Sequence, residues 1–276
     1  MAEIHQFNHR AMATHYEVRV AAEERTYAAQ AAQAAFDLLD RLEARLSRYK
    51  PNSDIARLAQ LAPGEKLRVS EPALACLQIA KQMEQITQSA FCPTPAALQT
   101  QPALPEWNLL AAEQSIQCVS GRLDFDLGAI GKGFALDRMA ELIREWDCPS
   151  FLLVAGGSSI LAGDSPTDAA GWSCGLGEDD SPHRIFLSNA SLSGSGLAVK
   201  GAHILDPRSG LPAPRQSRAW ILADTAADSD ALSTACMVLS EAELIGILER
   251  NHSWLAFLET EEGPRPLGRR SIPSPA

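Results

Sequence analysis

The chain has 276 residues, 46% of them hydrophobic, with 24 Lys and Arg against 34 Asp and Glu for a formal net charge of −10. That length buries a substantial core without disulfide staples and allows one large domain or two small ones. The acidic balance, with no basic run beyond Arg269-Arg270, argues against nucleic acid as a partner and requires any anionic ligand to meet locally concentrated positive charge or a metal.

The six cysteines are scattered with no CxxC pair, a pattern of reduced thiols rather than of a disulfide framework or a zinc site. No two of the six histidines form an HxxH-type pair. The opening MAEIHQFNHRAMATH lacks an apolar core of the kind a secretory signal needs, and no stretch is long enough to span a membrane. As given, the chain reads as cytoplasmic with no transmembrane segment.

In chain order, HYEVRV at 15–20 alternates and predicts an edge or half-buried strand. Thr26 is placed to cap an alanine-rich helix starting at Tyr27, with Leu38, Leu39, Leu42 and Leu46 at helical spacing toward the core. Ser53 caps a short helix through Leu61, Pro63-Gly64 makes a turn, and Ser70 caps a second long helix. Two prolines in SAFCPTPAAL (89–98) end regular structure, and 115–119 reads as a strand.

The most informative stretch follows, LDFDLGAIGKGFALDRM at 123–139. Residues 123–127 alternate like a short strand. The chain then passes Gly128, Gly131 and Gly133 into a helical run over 134–146. Glycines at a strand-to-helix turn let N–H groups approach a ligand, and the helix N-terminus and Lys132 add positive charge, a combination suited to a phosphate or pyrophosphate. GxxGxG is neither the dinucleotide fingerprint nor the P-loop, and a tight strand–helix connection explains it equally.

Beyond it, FLLV at 151–154 predicts a buried strand, 163–177 is turn-rich, and 184–187, 190–192 and 220–222 are strand candidates. Residues 230–239 and 241–251 read as helices, with Ser240 and Glu243 forming a capping box. WLAFL at 254–258 reads as the last strand, and the tail from Gly263 with its four prolines as loose. Long helices among short strands, without a regular βαβ series, give class α+β. No composition break marks a domain boundary.

Asp230 and Thr234, four apart on a predicted helix, project from one face and form a hard-oxygen pair suited to Mg²⁺. The alternative is a helix N-cap with Thr234 buried. His203 precedes a turn at Asp206-Pro207, where an imidazole either serves as a base or bonds to backbone.

The stretch DLGAIGKGFALD (126–137) resembles the signature of the ApbE family, the FAD:protein FMN transferases. Further matches fall in the family's order: AMAT at 11–14, SRYKPNSDIARL at 47–58, AFCPT at 90–94, AGG at 155–157, SGSG at 193–196, HILDPRSG at 203–210 and DALST at 230–234. The resemblance runs from about Met12 to about Leu248. It implies a single T-fold-like domain, α+β, that binds FAD and Mg²⁺. The activity it implies passes FMN from FAD to a Ser or Thr of a target flavoprotein and releases AMP. By the same resemblance, Asp230, Thr234 and the carbonyl of Ala129 hold the metal. Met12, Tyr49, Ala90, Phe91, Cys92, Leu205, Asp126 and Lys132 contact FAD. His203 is the base. Because family members are often exported and lipid-anchored, removal of a signal would place this chain in the periplasm or at a membrane.

Three carboxylates common in the family are missing. Cys92 replaces the acid of the AFD position, Ser158 stands after Gly157, and Gly194-Ser195-Gly196-Leu197 replaces a Thr-Ser-Gly-Asp run. Ala59 stands where an asparagine is frequent. Two alternatives to transfer follow: FAD hydrolysis to FMN and AMP, and FAD binding without turnover.

Overall fold

The structure, a computed structural model, describes residues 2–95, 103–166, 169–177, 183–196, 206–211 and 216–271. The alternating stretch around Tyr16 is not at a sheet edge. Strand β2 (Thr14–Ala22) pairs on one side with β1 (Glu3–Ala11) and on the other with β6 (Phe151–Ala155), so its alternate residues Tyr16, Val18 and Val20 are fully buried. β1 itself, polar at most positions, carries too weak an apolar alternation to be read as a strand without its partner.

Helix α1 (Arg25–Leu46) lies against this sheet with Ala28, Ala31, Ala32, Ala35, Phe36, Leu39, Leu42 and Leu46 inward, a helical stripe whose small residues permit close approach. It starts two residues before Tyr27, so Thr26 is inside the helix and not its cap; Glu24 is the N-cap and makes no side-chain cap bond. Ser53 does cap α2 (Asp54–Leu58), accepting from Ala56 N–H, and that helix ends before Leu61. Strands β3 (Lys66–Arg68), β4 (Glu106–Leu110) and β5 (Ser115–Ser120) form a small sheet in the order β3-β5-β4. Helix α3 (Glu71–Ile86) has Ser70 at its N-cap, but the Ser70 hydroxyl donates to Asp54 instead of capping.

The main sheet is completed by β7 (Ser159–Ala162), β10 (Ala190–Gly196), β11 (Arg218–Ala223), β12 (Leu255–Thr260) and β13 (Gly263–Gly268), in the order β1-β2-β6-β7-β10-β11-β12-β13 and antiparallel throughout. β13 corrects the reading of a loose tail from Gly263 and of β12 as the last strand. Its two prolines are tolerated because it is an edge strand.

One face carries α1, α4 (Gly131–Glu145) and α5 (Ala226–Cys236), and the contiguous core under them runs from Ala11 to Leu258. The other face is covered by the hairpin β8 (Trp172–Gly175) and β9 (Arg184–Leu187), which came from the turn-rich stretch and its neighbour. Being covered on both faces explains why FLLV is continuously apolar: Leu153 belongs to the helix-side core and Leu152 to the other. Helix α6 (Glu241–Arg250) opens with the Ser240–Glu243 capping box. The antiparallel sheets and packed helices are an α+β fold.

Candidate active site

The glycine turn differs from its sequence reading. Residues 123–127 alternate in burial, with Leu123, Phe125 and Leu127 inside, but they join no ladder. The segment is fastened by Asp126 N–H donating to Pro93 C=O at 2.8 Å. Helix α4 starts three residues earlier than predicted, so Gly131 and Gly133 belong to its first turn. None of the three glycines takes a positive φ.

Their N–H groups are also engaged within the chain. Gly128 N–H donates to Asp126 Oδ1 at 2.9 Å, Gly131 N–H to Leu127 C=O at 2.6 Å and Gly133 N–H to Asp230 Oδ2 at 3.1 Å. The expected row of amides facing a phosphate is therefore not what the glycines supply. Positive charge at this end of the fold comes from side chains, Lys132 and Arg48.

Helix α5 begins four residues before Asp230. Thr225 is its N-cap and accepts from Asp228 N–H, which removes the capping reading of Asp230. The other exposed amides of that end are taken from outside the helix: Asp137 on α4 accepts from Ala226 N–H at 2.7 Å and Ala227 N–H at 2.9 Å. A negative side chain at a helix N-terminus is favourable on both hydrogen-bonding and dipole grounds.

With that end fixed, Asp230 sits in the second turn, 4% exposed. It accepts from Lys132 Nζ at 3.1 and 3.2 Å, from Gly133 N–H and from Ser159 Oγ at 3.1 Å. Lys132 Nζ donates also to Gly128 C=O at 3.2 Å. Thr234 Oγ1 is 3.4 Å from both Asp230 C=O and Ser195 Oγ. Behind it runs a buried hydroxyl ladder between β10 and α5, with Ser195 to Ser233 at 3.0 Å and Ser193 to Ser229 at 2.8 Å.

A cavity of about 190 Å³ opens beside this network, bounded by Met12, Arg48, Tyr49, Asp126, Gly128 and Lys132 among others. Tyr49 is 85% exposed and lies by the Arg48 guanidinium, 5.7 Å from ring centre. Arg48 bonds Asp126 Oδ2 at 2.8 Å. At the β1–β2 hairpin, Met12 and Ala13 both take left-handed φ, 49° and 59°. Glu43 holds this turn by accepting from Met12 N–H at 2.9 Å, and Tyr16 Oη donates to Met12 Sδ at 3.3 Å. Burial, with the charges of Asp230 and Glu43 adding to it, raises the Tyr16 phenol well above its ordinary range, so it stays protonated.

Four of the sequence-predicted residues, Met12, Tyr49, Asp126 and Lys132, thus meet at one cavity, and Lys132 joins it to Asp230 and through the helix to Thr234. Ala129 lies in the same 128–130 turn. Ala90, Phe91 and Cys92 are buried and do not line the cavity. Cys92 Sγ accepts from Thr94 N–H at 3.4 Å, and burial raises its thiol pKa. His203 and Leu205 lie outside the described residues, as does Leu197.

Arg48, Glu43, Ser159 and Asp137 were not singled out from sequence. Arg48 adjoins Tyr49 within the SRYKP stretch and Asp137 closes the glycine signature, so both had a local signal. Glu43 on α1 and Ser159 on β7 had none.

The donors around Asp230 fit a hard divalent cation. Among the described residues no cluster of three or more His, Cys, Asp or Glu exists. Around Asp230 the described residues thus offer one carboxylate, one hydroxyl and main-chain carbonyls, the sparse oxygen set of an ion that keeps waters and shares phosphate oxygens. The set already holds a cation, the Lys132 ammonium.

Comparison with known proteins gives the following. A model of the ApbE family matches residues 12–258. A FAD:protein FMN transferase of Klebsiella pneumoniae (strain 342) is 23% identical over 216 residues, 66% of this chain and 66% of that protein. One of Treponema pallidum (strain Nichols) is 29% identical over 160 residues, 50% of this chain and 44% of its own length. These alignments span two thirds or less of the relatives' length. Among solved structures, the flavin transferase ApbE from Vibrio cholerae superposes with a TM-score of 0.79 at 19% identity, covering 99% of this chain and 98% of that one. The ApbE protein from Thermotoga maritima gives 0.81 at 21% identity, covering 96% and 97%.

Proposed function

The chain belongs to the ApbE family, and from that premise we propose that it is a Mg²⁺-dependent FAD:protein FMN transferase. It would pass FMN to a Ser or Thr hydroxyl of a target flavoprotein and release AMP. One observation carries the reading. The turn at 126–132 presents Asp126 and Lys132 to the cavity shared with Met12 and Tyr49, while Lys132 reaches Asp230 on α5.

In this reading the flavin meets the polarisable thioether of Met12 and the exposed ring of Tyr49. Arg48 and Lys132 face the pyrophosphate, giving an acidic protein the local positive charge an anionic ligand needs. Asp230, Thr234 and the Ala129 carbonyl would hold Mg²⁺, which would supply charge neutralisation at the pyrophosphate. Ala90, Phe91, Cys92 and Leu205 keep their assignment to FAD by resemblance alone. The acceptor hydroxyl oxygen bonds to the phosphorus of the FMN half as the pyrophosphate P–O bond to AMP breaks, and the hydroxyl proton passes to His203.

The absent acids favour a second reading, binding without turnover: Cys92 is a buried thiol and Ser158 a hydroxyl where the family resemblance implies carboxylates. Water as the acceptor gives a third outcome, FAD hydrolysis. Incubation of FAD and Mg²⁺ with the protein, with and without an acceptor flavoprotein, separates them by chromatography. Transfer yields AMP and protein-bound FMN. Hydrolysis yields AMP and free FMN without acceptor. FAD recovered unchanged in both incubations overturns the transferase reading.

A further inference from the structure

Lys132 Nζ makes three contacts, with both oxygens of Asp230 at 3.1 and 3.2 Å and with Gly128 C=O at 3.2 Å. A carboxylate and a turn carbonyl converging on one positive group form a cation position, and the ammonium fills it. Gly133 N–H and Ser159 Oγ take further lone pairs of the same carboxylate. An incoming divalent ion therefore finds no free face of Asp230 while Lys132 stays, and two cations cannot share the acceptors at that spacing without strong repulsion. Lys132 also lines the cavity, and its side chain is 19% exposed on the first turn of α4. Its flexible four-carbon stem borders the cavity.

Resting on the functional reading above, we propose that Lys132 is the exchangeable counter-cation of Asp230. A divalent ion takes the position from the ammonium, and the released ammonium turns into the cavity, where a diphosphate is its next acceptor. Metal and diphosphate then bind with positive cooperativity, and by linkage each raises the affinity of the other equally. Without either ligand the buried carboxylate keeps its charge partner, which protects the free protein from an uncompensated buried anion.

The test measures Mn²⁺ binding, by calorimetry and by the electron paramagnetic resonance of free Mn²⁺, to the wild-type protein, Lys132→Met and Asp230→Asn. Lys132→Met keeps the stem and removes the competing charge, so it should bind Mn²⁺ at least tenfold more tightly than the wild type. Asp230→Asn should lose the site. Equal or weaker Mn²⁺ binding by a Lys132→Met protein that unfolds cooperatively overturns the exchange. Mn²⁺ binding unchanged in Asp230→Asn overturns the metal assignment itself, a separate failure.

A second measurement needs no variant. Acylation of Lys132 in the wild-type protein, read by peptide mass spectrometry, should rise several-fold when Mn²⁺ alone is added and fall again when FAD is added with it. No change in Lys132 labelling on saturation with Mn²⁺ also overturns the exchange.

Discussion

Gly133 and Ala226 meet backbone to backbone: a Cβ built on Gly133 would lie 2.0 Å from the Ala226 carbonyl oxygen and 2.8 Å from Ala227 N. The glycine lets the first turn of α4 press against the start of α5, which brings Gly133 N–H onto Asp230. Its role is close helix approach, with a φ that any residue can adopt. Gly133→Ala should therefore cost roughly 3 kcal/mol or fail to fold, since the clash is with backbone and cannot be relieved by a rotamer. Gly131 differs, its built Cβ meeting only Leu127 Cβ at 3.6 Å. Gly131→Ala should leave the thermal midpoint within a few degrees. Because Gly131 borders the cavity, any effect should appear in a FAD fluorescence titration.

Asp230 should separate metal binding from stability by the choice of substitution. Asp230→Ala strands Lys132, Gly133 N–H and Ser159 Oγ together, and about 3 kcal/mol of stability should be lost. Asp230→Asn keeps an acceptor and the shape, so its loss should be smaller by at least half. Both variants should abolish Mg²⁺-dependent AMP release. If Asp230→Asn released AMP at the wild-type rate with Mg²⁺, the aspartate would be structural only.

Helix existence was legible because α1, α3 and α6 carry apolar stripes, and α3 and α6 also start at the serines expected, Ser70 and Ser240. That Asp230 and Thr234 share one helix was legible because they sit about one turn apart. What sequence could not show was the origin of each partner. Asp230 depends on Ser159, from a four-residue strand, and on a glycine amide 97 residues earlier. The strand expected over 123–127 fails for a related reason: alternation reports burial of one side, while a ladder needs a neighbour, and among the described residues the adjoining segment offers it Pro93 C=O alone. Likewise β1 and β13 are edge strands, defined by the single partner each has rather than by their own composition.

The β1–β2 turn holds strain at the cavity rim. Met12 and Ala13 both take left-handed φ without a glycine, a conformation that costs a β-carbon-bearing residue free energy. Ala13→Gly should relieve it and stabilise the fold by up to about 1 kcal/mol, offset in part by the entropy of the unfolded chain. FAD affinity should change little, because Glu43 still holds the Met12 amide. Urea denaturation reads the first quantity, and an unaltered or lowered midpoint denaturant concentration would show the turn to be unstrained.

Asp137 should give the protein a pH-dependent stability. Its side chain keeps some solvent contact but is densely surrounded, and burial pushes its carboxyl up to about 7, against the pull of the Ala226 and Ala227 N–H groups. The folded state therefore holds this proton more tightly than the unfolded chain, whose carboxyl titrates near the ordinary value of 3.8. Between about pH 4 and pH 7 the unfolded state is the more ionised, so this group's contribution falls as pH rises and is constant above about 7. Asp137→Asn should be less stable at pH 5, because one amide of α5 loses its acceptor, and should show a shallower decline in thermal midpoint from pH 5 to 7.5. An unchanged slope would mean that Asp137 is ionised throughout as an ordinary helix cap.

Cys92 decides between a weakened site and a repacked loop. The thiol is 7% exposed and bonded to Thr94, and burial raises its pKa, so it is neither a thiolate nor a group facing the cavity. A carboxylate introduced there would be desolvated. Its surroundings include charges of both signs, with Lys81 and Glu84 both acting on the position, and these two already bond one another at 2.9 Å. An aspartate would thus compete with Glu84 for Lys81 and otherwise stay unpaired. Cys92→Asp should lower the thermal midpoint markedly, by roughly 2 kcal/mol or more in stability, without raising AMP formation. Cys92→Ser, close in size and able to bond Thr94, should cost less than half as much. The opposite pattern, a faster release of AMP from Cys92→Asp at an unchanged midpoint, would mean that the 91–95 loop can turn this side chain toward the ligand and that the missing acid limits turnover.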